Sequence, residues 1–122
     1  MLGSQNVIAF IATTDAARAR AFYADTLGLR LVAEEPWALV FDAHGTMLRV
    51  QKVQELAPAS HTVLGWQVQQ IASVVAELKG RVTFERYPFL EQDEAGVWTT
   101  PGGAKVAWFK DPDGNVLSLT QL

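Results

Sequence analysis

Two six-residue stretches, Val7 to Ala12 (VIAFIA) and Val63 to Val68 (VLGWQV), open the same succession of signals, and this repetition constrains the fold more than any other feature. Each reads as a strand followed by an amphipathic helix, a glycine stop and three further strands. Only two copies of such a unit fit in 122 residues, which excludes an extended repeat array. The expectation is therefore one domain over residues 1–122, built from βαβββ modules at 5–53 and 61–122. The fold class is α+β. Two incomplete sheets, each with a helix on one face, would join edges into a curved, cup-like mixed sheet with the helices outside and the inner surface free for a ligand.

In the first module, residues 5–13 are apolar on both alternations, which predicts a strand buried on both faces. Val7, Ala9 and Ile11 point one way, and Ile8, Phe10 and Ala12 the other. Thr14-Asp15 offers an N-cap, and Ala16, Ala19, Phe22, Tyr23 and Leu27 recur at helical spacing until Gly28. Strands follow at 29–35, 37–43 and 46–53, with His44-Gly45 as a turn. The second module repeats the pattern: a strand at 61–68, a helix at 71–79 ended by Gly80, a short strand at 82–85, an irregular loop at 86–95 and a strand at 96–100.

The chain closes on a hairpin, AKVAWFKDPDGNVLSLTQL, whose tip is Asp111-Pro112-Asp113-Gly114-Asn115. Proline presets φ there, glycine supplies positive φ, and the Asx side chains hydrogen-bond nearby backbone. Asp111, Asp113 and Asn115 also match the spacing of the first three ligands in a calcium loop. That reading fails, because Val116 stands where the loop needs glycine and Leu122 where it needs a bidentate glutamate.

Composition removes several classes of function. The chain has no cysteine, so disulfides, thiolate nucleophiles and zinc–thiolate sites are out. A net charge of -3 without a lysine or arginine cluster lacks the electrostatic footprint of a nucleic-acid binder. No apolar run approaches the ~20 residues that span a bilayer, and no secretory leader is read at the N-terminus, so a cytoplasmic location is expected. A chain of this size buries roughly two-thirds of its unfolded surface, enough for a real core. The expected partners are a small molecule and a second copy of the chain.

Asp15-Ala16, Phe22-Tyr23 and Leu27-Gly28-Leu29 in the first half, with Phe109-Lys110-Asp111-Pro112-Asp113-Gly114-Asn115, Leu117 and Leu119 in the second, resemble the vicinal oxygen chelate superfamily, the glyoxalase, bleomycin-resistance and extradiol-dioxygenase group. The resemblance implies the tandem βαβββ fold and a homodimer. It also implies four inward positions that carry metal ligands in metal-dependent members. Here those positions are Ala9, Arg49 (or, one strand step on, Gln51), Val63 and Ser118. Divalent ions need carboxylate, carbonyl or imidazole donors, so no metal and no cofactor are expected.

If Ala9, Val63 and Ser118 point inward, alternation adds Val7, Ile11, Met47, Arg49, Gln51, Gly65, Gln67, Val116 and Thr120. Six aromatic residues fall between Phe84 and Phe109, namely Phe84, Tyr87, Phe89, Trp98, Trp108 and Phe109. Flat aromatic walls favour planar or bulky ligands. The candidate binding residues are Arg49, Gln51, His61, Gln67, Tyr87, Phe89, Trp98, Trp108 and Ser118. Arg49 could hold an anionic or carbonyl oxygen of a ligand, pair with Glu34 or Glu35, or lie at the solvent edge. Glu91, Asp93 and Glu94 read as a solvated loop, and His44 as a turn residue. His61 is a rim or surface histidine, or else a ligand-facing one, and a Ser118–His61 triad lacks any nucleophile-elbow sequence.

Three functions suit this pattern. One is a metal-independent protein that sequesters a bulky or aromatic compound. Another is a glyoxalase-, lyase- or dioxygenase-type enzyme using other residues, such as His61, Gln51 or Glu91 with a metal, or His61 as a base. The third is a regulatory module that binds a metabolite.

Overall fold

The computed structural model describes residues 1–122, which form two units, Met1–Ala57 and Pro58–Leu122. In the first, β1 (Ile8–Thr13) leads to a helix, α1 (Ala16–Arg20), that continues as a wider π-type turn over Ala21–Thr26. Asp15 caps it, its carboxylate accepting the Arg18 N–H at 3.1 Å, and Gly28 at φ 76° releases the chain. Strands β2 (Arg30–Glu34), β3 (Ala38–Ala43) and β4 (Thr46–Lys52) follow. They order as β1-β4-β3-β2, with β1 parallel to β4 and the rest antiparallel. The two-residue turn between β3 and β4 has positive φ at both His44 and Gly45, the conformation whose twist suits a tight hairpin.

Register assigns the faces. Ala9, Leu48 and Phe41 lie in one cross-strand row, and Ile11, Val50 and Leu39 in the next. The ring of Tyr23 from the helical segment packs on Phe41 with centroids 5.9 Å apart. Leu39, Phe41, Leu48, Val50 and Tyr23 are all buried, and each contributes about 1.5–3 kcal/mol by leaving water. Ile8, Phe10, Met47, Arg49 and Gln51 occupy the far face, away from the helix.

Strand β1 departs from its expected burial on two faces. It is an edge strand bonded only to β4, and on its far face Ile8 and Phe10 remain 46% and 51% exposed. An unbroken apolar run made the two faces look alike, whereas the single helix covers only one of them.

The second unit repeats the plan with β5 (Thr62–Gln67), α2 (Ile71–Leu78), β6 (Trp98–Thr99), β7 (Lys105–Lys110) and β8 (Val116–Gln121), ordered β5-β8-β7-β6 with β5 parallel to β8. Helix α2 buries Ile71, Val75 and Leu78. Its first turn is tied to the sheet by the Ile71 N–H, which donates to Gln121 Oε1 at 2.9 Å. The strand expected at 82–85 is not formed. Arg81 and Val82 donate their N–H groups back to Leu78 O, so the start of that stretch turns off the helix, with Val82 bridging back to Lys79, and only isolated contacts reach β7, the Phe84–Phe109 bridge and the Glu85 N–H to Trp108 O. The strand expected at 96–100 shortens to Trp98–Thr99. Gly96 N–H bonds to Asp93 O and Val97 N–H to Asp93 Oδ1, which holds the approach to it in a turn.

At the β7–β8 tip the buried Asp111 carboxylate organises the turn. Its Oδ1 accepts the N–H groups of Asp113 and Asn115, both at 2.9 Å, and its Oδ2 accepts Asn115 Nδ2–H at 2.9 Å. Gly114, at φ 89°, lies against Pro58, where an added Cβ would come 3.2 Å from the proline Cγ. Asp111→Ala leaves several buried donors unpaired, so the variant should lose about 2–4 kcal/mol in urea unfolding followed by circular dichroism. A loss below ~0.5 kcal/mol would show that the turn holds without the carboxylate.

Candidate functional site on the second sheet

On the far face of the second sheet, alternation and pairing build two rows. Gly65, Ser118 and Trp108 form one. Gln67, Thr120, Val106 and Trp98 form the other. The floor on the β5 and β8 side is small and polar, and the wall on the β7 side is aromatic. Trp98 stacks beside Trp108 with centroids 6.2 Å apart at 28°. Tyr87 meets Trp108 edge-on at 5.4 Å, and Phe89 leans on Tyr87 at 5.6 Å. Each such ring pair adds about 0.5–1.5 kcal/mol beyond area burial. Phe84 and Phe109, the other members of the aromatic run, pack together at 5.8 Å, with Phe109 fully buried.

The loop that carries Tyr87 and Phe89 is held by side-chain bonds to its own backbone. Gln92 Oε1 accepts the Tyr87 N–H at 2.8 Å, while Gln92 Nε2 donates to Glu85 O at 2.9 Å and Gly96 O at 2.7 Å. Arg86 donates to the carbonyls of Asp93 and Glu94 at 2.6 and 2.8 Å. Sequence reasoning missed Gln92, because a glutamine in a polar loop carries no signal of which carbonyls it will meet. The Glu85 N–H donates to Trp108 O at 2.8 Å, which brings this loop alongside β7.

The candidate residues thus divide. Gln67, Tyr87, Phe89, Trp98, Trp108 and Ser118 come together in the second unit. Arg49 and Gln51 lie on the far face of the first sheet, where Arg49 Nη2 donates to Glu35 Oε1 at 2.6 Å. The ion pair supplies the carboxylate that a half-buried guanidinium requires. His61 is exposed just ahead of β5, and His44 is exposed in its turn. Asp93 uses its carboxylate on the Ala95 and Val97 N–H groups.

The inward set expected on β1 needs correction. Ala9 pairs with Leu48, and Ile11 with Val50, on the helix-covered face, so neither shares a face with Arg49, whose neighbours are Phe10 and Val40. The far-face residues of β1 are Ile8, Phe10 and Ala12, which the sequence reading left out. Val63 falls within an irregularity of the β5–β8 register, between Thr62 and Leu64.

With the faces corrected, the donor set can be weighed against a divalent ion. On the first and last strands of the two sheets the far-face side chains are Ile8, Phe10, Ala12, Met47, Arg49 and Gln51, then Gln67, Val116, Ser118 and Thr120. Neither sheet's set includes a carboxylate or imidazole, and Arg49 adds a positive charge to the first, so neither offers the donors that a divalent ion needs. No group of three histidine, aspartate or glutamate side chains comes together elsewhere. On the helix side, a groove of about 470 Å³ runs between α2 and the 93–97 segment, over Val75, Phe84 and Val97.

Strand–helix–three-strand units, each with its first strand parallel to its last, define the tandem βαβββ class of α+β proteins. The sequence profile of the Glyoxalase/Bleomycin resistance protein/Dioxygenase superfamily matches residues 5–119, and the chain belongs to that superfamily. Among solved structures it is similar to a member of the same superfamily from Sphaerobacter thermophilus DSM 20745, with 22% identity, TM-score 0.76 and both chains covered in full. A glyoxalase family protein from Enterococcus faecalis gives 21% identity and TM-score 0.75 over 98% of this chain and 99% of that one. A lactoylglutathione lyase from Agrobacterium tumefaciens gives 21% identity and TM-score 0.70 over 96% and 93%. At these identities the likeness is one of fold. No curated protein matches the sequence. No helix is long and apolar enough to cross a membrane.

Burial raises the pKa of the Tyr87 phenol above its ordinary value; Glu85 raises it further, and Lys110 opposes. A folded-state pKa above the unfolded one means that the folded chain keeps its proton longer, so the stability it contributes is intact below pH ~10 and is lost as pH rises past that point. Tyr87→Phe should therefore flatten the fall of unfolding free energy between pH ~9.5 and ~11. Equal slopes for the two proteins would place the phenol in ordinary solvent.

Proposed function

We propose that this protein binds and sequesters a bulky or aromatic small molecule on the far face of its second sheet, without a metal and without transforming it. The observation that carries this reading is the aromatic wall of Trp98, Trp108, Tyr87 and Phe89 beside a floor of Gly65 and Ser118. Superfamily membership supports a small molecule as the partner. The name of the Agrobacterium relative raises a lyase as an alternative, but the far-face side chains of this chain offer no donor set for metal-assisted chemistry.

Two measurements test the proposal. Protein purified without chelator should contain no stoichiometric metal by elemental analysis, and Ni²⁺, Zn²⁺, Mn²⁺ or Fe²⁺ should not raise its melting temperature. Specific binding at 100 times Kd would stabilise it by ~2.7 kcal/mol, a shift of several degrees. A stoichiometric metal overturns the metal-free reading. In a screen of planar aromatic compounds read by tryptophan fluorescence, hits should be recovered unchanged, and Trp108→Ala should weaken them about tenfold, equivalent to ~1.4 kcal/mol. Hits indifferent to Trp108 would move the site elsewhere.

We also propose that the chain works as a homodimer. Val7, Ile8 and Phe10 leave apolar surface along an edge strand, an arrangement that invites pairing. Light scattering after gel filtration should give twice the 13.4 kDa chain mass. A monomer at micromolar concentration would contradict it.

A further inference from the structure

We infer that the second sheet's far face selects a neutral ring compound with a hydrogen-bonding substituent, anchored by the Ser118 hydroxyl, and that Gly65 determines this specificity by keeping the hydroxyl uncovered. The inference rests on the reading that this face is the ligand site.

Above Gly65 the strand has no room for a side chain. A Cβ built there would lie 2.6 Å from Ser118 Oγ and 3.3 Å from Ser118 O. The serine hydroxyl thus leans across β5 into the volume that any other residue would fill. Ser118 is only 7% exposed, yet its Oγ has no hydrogen-bond partner within the chain. Every fully buried side-chain polar atom does have one, so this hydroxyl is open to a partner from outside. It stands next to Trp108 in the register. A ring stacked on the tryptophan would bring a substituent over the serine.

Charge sets the second part. The neutral polar side chains on this face are Gln67, Ser118 and Thr120, and alternation adds one cation, Lys110, opposite Val116. Lys110 is engaged by Glu85 of the adjoining loop, its Nζ 3.4 Å from Glu85 Oε1. A charged ligand would leave water for a surface that offers no free counter-charge, a cost that a neutral ligand avoids. The aromatic wall favours a ring of either kind, so the discrimination falls to the missing counter-charge and the hydroxyl.

Four probes of one shape test this on the intact protein by NMR titration at pH 7: 2-naphthol, 2-naphthoate, 2-naphthylmethylammonium and 2-methylnaphthalene. 2-Naphthol should bind at least about tenfold more tightly than either ion. Ser118→Ala should weaken 2-naphthol about three- to tenfold while leaving 2-methylnaphthalene within about twofold. Gly65→Ala, whose methyl displaces the hydroxyl, should abolish the preference for 2-naphthol over 2-methylnaphthalene. Should that variant fail to fold, Ser118→Ala, which only removes an atom, decides the matter.

Either ion binding as tightly as 2-naphthol, or no loss with Ser118→Ala, overturns this inference and leaves the aromatic site standing. Retention of the preference in a folded Gly65→Ala protein removes the role of Gly65. Binding by none of the four probes, read at the Trp108 indole signal, sinks the aromatic site and this inference together.

Discussion

Each four-stranded sheet has two faces, and each unit supplies one helical segment to cover them. In the first unit that segment claims the face of Leu39, Phe41, Leu48 and Val50, and in the second Ala107, Phe109, Leu117 and Leu119 form the corresponding buried set. The half-exposed apolar residues on the far face of β1 follow from this shortage of cover. Also on the far faces are an arginine held by its own glutamate and, on the second sheet, a combination of small residues and tryptophans. Ala38, Val40 and Val116 are nonetheless buried on these faces, so it is the exposed part, such as Ile8 and Phe10, whose chemistry indicates which partner suits it.

That chemistry is governed by local pairing of charge. Arg49 is matched by Glu35, Lys110 by Glu85, and Glu34 by both Arg20 and Lys52. Such surface pairs contribute little to stability, but they leave the faces without a free charge to attract an ion. The one carboxylate that is buried, Asp111, is engaged with Asp113 and Asn115 at the tip of the β7–β8 hairpin. The acidic pentapeptide that resembles the start of a calcium loop is thus a turn whose first aspartate acts as a template for the backbone.

Much of the fold was legible in the chain because local physics decides it. The Asp15 cap, the positive φ of Gly28, Gly80 and Gly114, and the tight turn at His44-Gly45 all occur where residue type demands them. Four aromatic residues of the 84–109 segment meet on one face because β-strand alternation and a short loop leave few other arrangements. Other features were not legible. VIAFIA is apolar on both alternations, so only the parallel pairing of Ile8 with Met47 and Ala9 with Leu48 reveals which residues look away from the helix. The strand expected at 82–85 is reduced to isolated contacts with β7 because its first residue, Val82, is drawn into the helix exit.

The sequence by itself determined the two βαβββ units, their caps and turns, and the presence of an aromatic-rich second half, since each depends on residues near one another in the chain. The tertiary structure alone decided that Glu35 takes Arg49, that Gln92 positions Tyr87, and that Ser118 leans over Gly65 beside Trp108. Those pairings depend on strand register and loop closure. A shift of one residue reverses the faces of a strand, and no local preference specifies which way it goes.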